Sequence, residues 1–180
     1  MAYRVYIMIK LKIINKIRRK MGQCWRFMAL VAVAGCLAGC ASGPKPWNLS
    51  INKTTSASIQ VDLVGVTESE KPYWQGYDID RYWMDGDLRR KNAQPLTQIL
   101  KLGQPWVVPV TDPHWQAWLA RGDTSLLIIA NLPGHFDAGA ADPRRLFLPL
   151  SKKAWDAKND TLEIEVQDTL IQVNTPQKPN

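Results

Sequence analysis

Apolar and polar positions change rhythm several times along this chain, and each rhythm predicts an element. In SIQVDLVGV (58–66), Ile59, Val61 and Leu63 alternate with Gln60 and Asp62. That is the period of a strand with one buried face. TLEIEVQ (161–167) repeats it, with Leu162, Ile164 and Val166 set against Glu163, Glu165 and Gln167. TLIQV (169–173) follows across Asp168, so the pair predicts either a tight terminal hairpin or one long bent strand. LTQILKL (96–102), WVVPV (106–110) and LFLPL (146–150) are shorter candidates. Pro109 cannot donate to a ladder, which assigns the second of these to an edge or a bulge. TSLLIIANL (124–132) does not alternate. Its continuous apolar run predicts a central strand buried on both faces.

Other stretches break the strand period. In TDPHWQAWLARG (111–122), Trp115, Trp118 and Leu119 lie at i, i+3 and i+4 and form one apolar helix face. Thr111 or Asp112 can accept bonds from the free N–H groups, Pro113 suits the first turn, and Gly122 suits the stop. YWQGYDIDRYW (73–83) is the densest aromatic stretch. It predicts a short helix or an irregular loop packed on a sheet, followed by a turn at Asp85-Gly86. PGHFDAGAADPRR (133–145) is a 13-residue loop, long enough to notice. SKKAWDAKND (151–160) reads as a single helical turn or a loop. Many short strands, one amphipathic helix and frequent Pro/Gly turns predict a mainly β fold, a β-sandwich over 56–175, with a disordered tail at 176–180.

The N-terminal pattern is of a different kind. Phe27 to Gly39 is almost wholly apolar or small for 13 residues. A bilayer-spanning helix needs about 20, whereas a signal-peptide core runs to about 7–15. Lys16, Arg18, Arg19, Lys20 and Arg26 precede it. A signal beginning at Met21 would be complete, so residues 1–20 read as an over-extended start or as a long basic n-region. Leu37-Ala38-Gly39-Cys40 resembles the lipobox of bacterial lipoproteins. The resemblance implies cleavage between Gly39 and Cys40, a diacylglycerol on the Cys40 thiol, and Cys40 as the mature N-terminus. It divides the chain into a leader (1–39) and a lipidated cysteine with its tether (40–55), from which the chain enters a first strand near Leu49–Asn52. Ala41 follows the cysteine where an Asp would retain an enterobacterial lipoprotein in the inner membrane. The expected location is therefore the cell envelope, lipid-anchored to the outer membrane and facing the periplasm.

Removing the leader changes the charge argument. The whole chain carries a formal +7. Of its 23 Lys and Arg, 8 leave with the leader, and 15 remain against 16 Asp and Glu, a net of −1. Nucleic-acid binding loses its electrostatic basis. Cys24 and Cys36 also leave, and Cys40 is acylated, so no thiol is left for a disulfide, a metal cluster or a nucleophile.

The chemistry-bearing residues are sparse. His114 and His135 lie near Asp112 and Asp137, but no spacing converges three or four ligands on a metal. Asp78, Asp80, Asp85 and Asp87 surround the aromatic stretch. DIDRYWMDGD does not match a calcium loop, and Arg81, Arg89 and Arg90 supply counter-charges. Two of these acids could in principle serve a glycoside hydrolase, but any acidic pair makes that claim. No nucleophile elbow or glycine-rich phosphate loop occurs. No catalytic residue, metal or cofactor is expected. Seven tryptophans follow the leader: Trp47, Trp74, Trp83, Trp106, Trp115, Trp118 and Trp155. Most should fill the core. Trp74, Tyr77, Tyr82 and Trp83 are the candidates for contact with a partner or a ligand.

The order of features is similar to that of the TssJ outer-membrane lipoprotein family of type VI secretion. The matching pieces are SIQVDLVGV, YWQGYDIDRYW, TSLLIIANL and TLEIEVQDTLIQV, behind a lipobox and a short tether. That resemblance implies a transthyretin-like sandwich with an added helical piece, which docks a periplasmic partner through loops at one end. The expectation is a non-enzymatic assembly component held to the membrane through Cys40 and bound to an envelope protein. The rival is a sugar- or peptidoglycan-binding module using the stretch 73–87.

Overall fold

In the computed structural model, the described residues are 45–180 apart from 138, 158, 159 and 180. The leader, the cleavage site at Gly39 and Cys40, and the tether up to residue 44 lie outside them. Eight strands form two four-stranded sheets. The first sheet contains β1 (Asn48–Lys53), β4 (Trp106–Val108), β7 (Thr161–Val166) and β8 (Ile171–Val173), in the order β4-β1-β7-β8. The second contains β2 (Ile59–Val66), β3 (Leu96–Leu100), β5 (Ser125–Ala130) and β6 (Arg145–Pro149), in the order β3-β2-β5-β6. Only β1 and β7 pair in parallel; the other neighbours are antiparallel. The mainly β sandwich is thus the architecture found.

β1 shows how little composition a central strand needs. Trp47, Leu49 and Ile51 are fully buried, while Asn48, Ser50 and Asn52 point the other way. Period-2 alternation is enough to bury one face, so the sandwich begins at Asn48 and takes in part of the stretch read as tether. At the other end, Pro176 to Lys178 is tied down rather than loose. The Asp156 N–H donates to the Pro176 carbonyl, and the Lys178 N–H donates to that of Ala154. Thr161–Val166 and Ile171–Val173 form the hairpin alternative, with Val166 opposite Ile171. β4 is an edge strand that stops before Pro109, as a missing donor requires.

One core lies between the sheets. Ile59, Val61, Leu63, Leu126 and Ile128 face Leu49, Ile51, Leu162, Ile164 and Val166. The predicted helix forms over Pro113–Arg121. Asp112 caps it by accepting from the His114 N–H, and Gly122 ends it in the left-handed region at φ +87°. Its Trp115 packs edge-to-face on Trp47 at 5.1 Å and on Trp118 at 5.2 Å. These rings seal the end of the core where the chain enters.

Of the two alternatives for 73–83, the helical one is found, and it is divided among several short helices. Residues 67–95 carry three: α1 (Lys71–Gln75), α2 (Ile79–Tyr82) and α3 (Leu88–Ala93); the helix at Pro113–Arg121 is α4. The insertion lies on the outer face of the second sheet. There Val64, Val66, Leu127 and Ile129 bury a second cluster with Trp74, Ile79 and Tyr82. This explains why β5 is apolar throughout: its two faces serve two different cores.

Candidate functional site: an arginine-lined cleft beside the helical insertion

The insertion is held by charges that reach under it. Asp62 is fully buried, although alternation placed it on an open face. It accepts from the Tyr82 hydroxyl at 2.8 Å, from Arg90 Nε at 2.8 Å and from the Thr97 hydroxyl at 2.7 Å. Three donors on one carboxylate satisfy a group that would be costly to bury alone. Burial, and then the adjacent Asp62 charge, raise the Tyr82 hydroxyl well above the usual tyrosine range. The same bonds raise the Arg90 guanidinium against the opposing effect of burial.

A second clamp comes from the long loop before β6. Buried Arg144 pairs with buried Asp142 at 2.7 Å and also reaches Asp80 on α2. Buried Arg145 donates to the carbonyl of Trp74 in α1 and to that of Tyr77 just beyond it. The Trp74 carbonyl also accepts from the Tyr77 N–H. Asp78 and Asp87 are N-caps: the first accepts from Asp80 and Arg81 N–H, the second from Arg90 N–H. Three of the four acids around the aromatic stretch are therefore occupied structurally. Among the described residues no group of three or more His, Cys, Asp or Glu is placed to hold a metal.

The four aromatic candidates separate. Tyr82 is fully buried and Trp74 nearly so; they pack edge-to-face at 6.0 Å and belong to the second core. Tyr77 and Trp83 are half-buried. Tyr77 donates its hydroxyl to Asp87 at 2.5 Å, and burial with this bond raises its pKa. The ring faces are occupied by cations. Arg89 lies 5.0 Å from the Trp74 centroid and 4.9 Å from that of Tyr77. Arg90 lies 4.5 Å from the Trp83 ring. No sugar can stack on those faces without displacing an arginine. Arginine on an aromatic face is stabilising, and here it serves packing.

Beside these rings opens a cleft of about 480 Å³. Gly65, Trp74, Tyr77 and Leu88 line it together with Arg81, Arg89, Arg121 and one acid, Glu70. Arg121 forms a fork with buried Asp123, at 3.0 and 2.7 Å, and donates to the Gly65 carbonyl at 2.6 Å. Gly65 is required by space: a Cβ there would sit 2.5 Å from the Trp118 ring and collide with Asp123. The Thr67 N–H bond, opposed by burial and assisted by the Thr67 hydroxyl, Arg121 and Arg89, holds the Glu70 carboxyl below its usual range. Arg89 has no carboxylate within 4.0 Å among the described residues. Of the four aromatic candidates, Trp74 and Tyr77 line this cleft, and Tyr82 and Trp83 do not. Sequence reading missed Gly65, Glu70 and Arg121, which come from a strand, a turn and α4 and share no local pattern.

No protein-family model matches the chain, and no curated protein matches it. Solved structures similar to it include Serratia marcescens Lip, described as a membrane bound component of the Type VI Secretion System. It is 15% identical, the alignment covers 76% of this chain and 99% of that one, and the TM-score is 0.47. Another is the T6SS lipoprotein TssJ1 from Pseudomonas aeruginosa, at 10% identity, 74% and 99% coverage and a TM-score of 0.41. A third is a chain of a structure described as a Type VI membrane complex, at 14% identity, 72% and 98% coverage and a TM-score of 0.49.

Proposed function

We propose that this protein is a lipid-anchored, non-enzymatic assembly component of the cell envelope, held to the outer membrane through Cys40 and docked to a periplasmic protein partner of a type VI-like secretion machine. One observation carries the reading: the chain is engaged from Lys45 onward, because the Lys45 carbonyl accepts from the Lys152 N–H, the Trp47 ring is fully buried and β1 is a central strand. Lys45 follows Cys40 by five residues, a chain length of at most about 18 Å. The end of the sandwich where β1 enters is thereby tied near the bilayer.

Strand register defines the opposite end. β1 leaves at Lys53, opposite Val166 of β7. The connection 54–58, the β3–β4 turn, the loop after β5 and the β7–β8 turn all lie there. At that corner Ile99, Leu102 and Val107 are exposed, on two edge strands and the five-residue connection between them. Exposed apolar groups gathered on open edges suit a protein partner. The type VI assignment itself rests on the order of lipobox, tether, aromatic insertion and terminal hairpin along the chain.

The test is cross-linking and affinity purification of the tagged protein from solubilised envelope, with Leu102→Glu as the probe. The expected result is a stoichiometric envelope partner whose recovery falls at least fivefold in the variant. Recovery of the protein alone, from intact membranes under cross-linking, would refute the docking role.

A further inference from the structure

We infer that the arginine-lined cleft is a second docking site, and that its occupant is an acidic segment of the protein partner, with a carboxylate on Arg89 and an apolar side chain against Leu88. This deepens the docking role proposed above and rests on it. Three arginines face one acid across the cleft. Asp123, which pairs with Arg121, is itself buried and presents nothing to a visitor. The Arg81 side chain is 70% exposed although it lies 3.9 Å from Asp87. Arg89 is held in place by two rings rather than by a counter-ion. A guanidinium oriented by packing, with no carboxylate within 4.0 Å among the described residues, is preorganised for bidentate carboxylate binding. Leu88, next to it on α3, is 70% exposed, so the rim offers apolar contact beside the charge. The cleft is concave and has room for a few side chains, which suits a peptide better than a flat lipid surface.

The experiment uses full-length protein in detergent and a fluorescein-labelled peptide, Gly-Asp-Glu-Leu-Asp-Glu-Gly, read by fluorescence polarisation. The control replaces its acids with lysines. The acidic peptide should bind, the lysine peptide should not, and raising the salt concentration should weaken binding. Arg89→Glu should lower affinity at least tenfold in protein that circular dichroism shows to be folded at the assay temperature. Arg89→Lys should restore part of it, and Lys178→Glu, exposed near the C-terminus, should leave it unaltered. Equal binding of both peptides, no binding at millimolar peptide, or binding only to phosphatidylglycerol vesicles would overturn the inference. In cells, a photo-cross-linking residue at Leu88 should give an adduct that maps to an acidic segment of the partner. An adduct from position 102 but not from 88 would overturn the cleft and leave the docking role standing. Adducts from neither position would end both.

Discussion

Replacing Arg90 with methionine should destabilise this protein more than removing the acid that Arg90 neutralises. Asp62 is fully buried, and among the described residues Arg90 supplies its only cationic partner, at 2.8 Å. In Arg90→Met a long apolar side chain remains, but the guanidinium over Trp83 is lost and the carboxylate stays in the core with two neutral donors, Tyr82 and Thr97. Breaking a buried pair in this way costs about 3–5 kcal/mol. Arg90 is partly exposed, so water can reach the gap, and a loss of about 3 kcal/mol is the expectation. Asp62→Ala leaves a different debris. Arg90 and Thr97 can turn to solvent, and only the Tyr82 hydroxyl is stranded, a loss of about 2 kcal/mol. The double variant should fall short of the sum by at least about 1 kcal/mol, because no uncompensated charge remains. Against a total stability of about 5–15 kcal/mol these are large effects. Guanidinium unfolding followed by tryptophan fluorescence reads all three. Additive losses, or an Arg90→Met cost below about 0.5 kcal/mol, would contradict the view that Asp62 and Arg90 act as one pair beneath the insertion.

Further outcomes follow from the same contacts. Gly65→Ala should lower the melting temperature by about 4–8 °C, since its Cβ has no space beside Trp118 and Asp123 and overpacking costs about 1–3 kcal/mol; an unchanged melting curve would contradict that packing. Folding raises the Tyr82 pKa above its unfolded value of 10.0. Its contribution is therefore complete below pH 10 and is lost as the unfolded chain ionises above it, at about 1.4 kcal/mol per pH unit. Tyr82→Phe should flatten that alkaline fall in unfolding curves between pH 9 and 11. Arg144→Ala should free the loop at 133–143 from α2, increasing its proteolysis and hydrogen exchange while leaving β5 protected; equal protection in both proteins would show that the Asp142–Arg144–Asp80 pairs do not hold the loop.

How far the fold could be read from the sequence depended on the length of each pattern. β2, β5 and β7 alternate or run apolar for six residues or more and were legible, as was α4 with its Asp112 cap and Gly122 stop. The helices α1 to α3 have four to six residues, too few for a 3.6-residue period to show. β1 was only half visible: its buried triplet, Trp47, Leu49 and Ile51, is diluted by polar residues on the other face. Alternation sets Asp62 opposite the buried face, and it reports which residues share a face, not what covers that face. The same gap hid the cleft. Trp74 and Tyr77 stood out by composition, whereas Arg89, Arg121 and Gly65 meet only after strand, insertion and helix have folded.

The anchor carries the rest of the account, and intact mass of the membrane-extracted protein tests it most directly, native and with Cys40→Ala. A chain beginning at Cys40 with added acyl mass, absent from the variant, is the predicted result. An unmodified chain beginning near Ala41 would contradict it, because a free periplasmic domain has no fixed end toward the membrane.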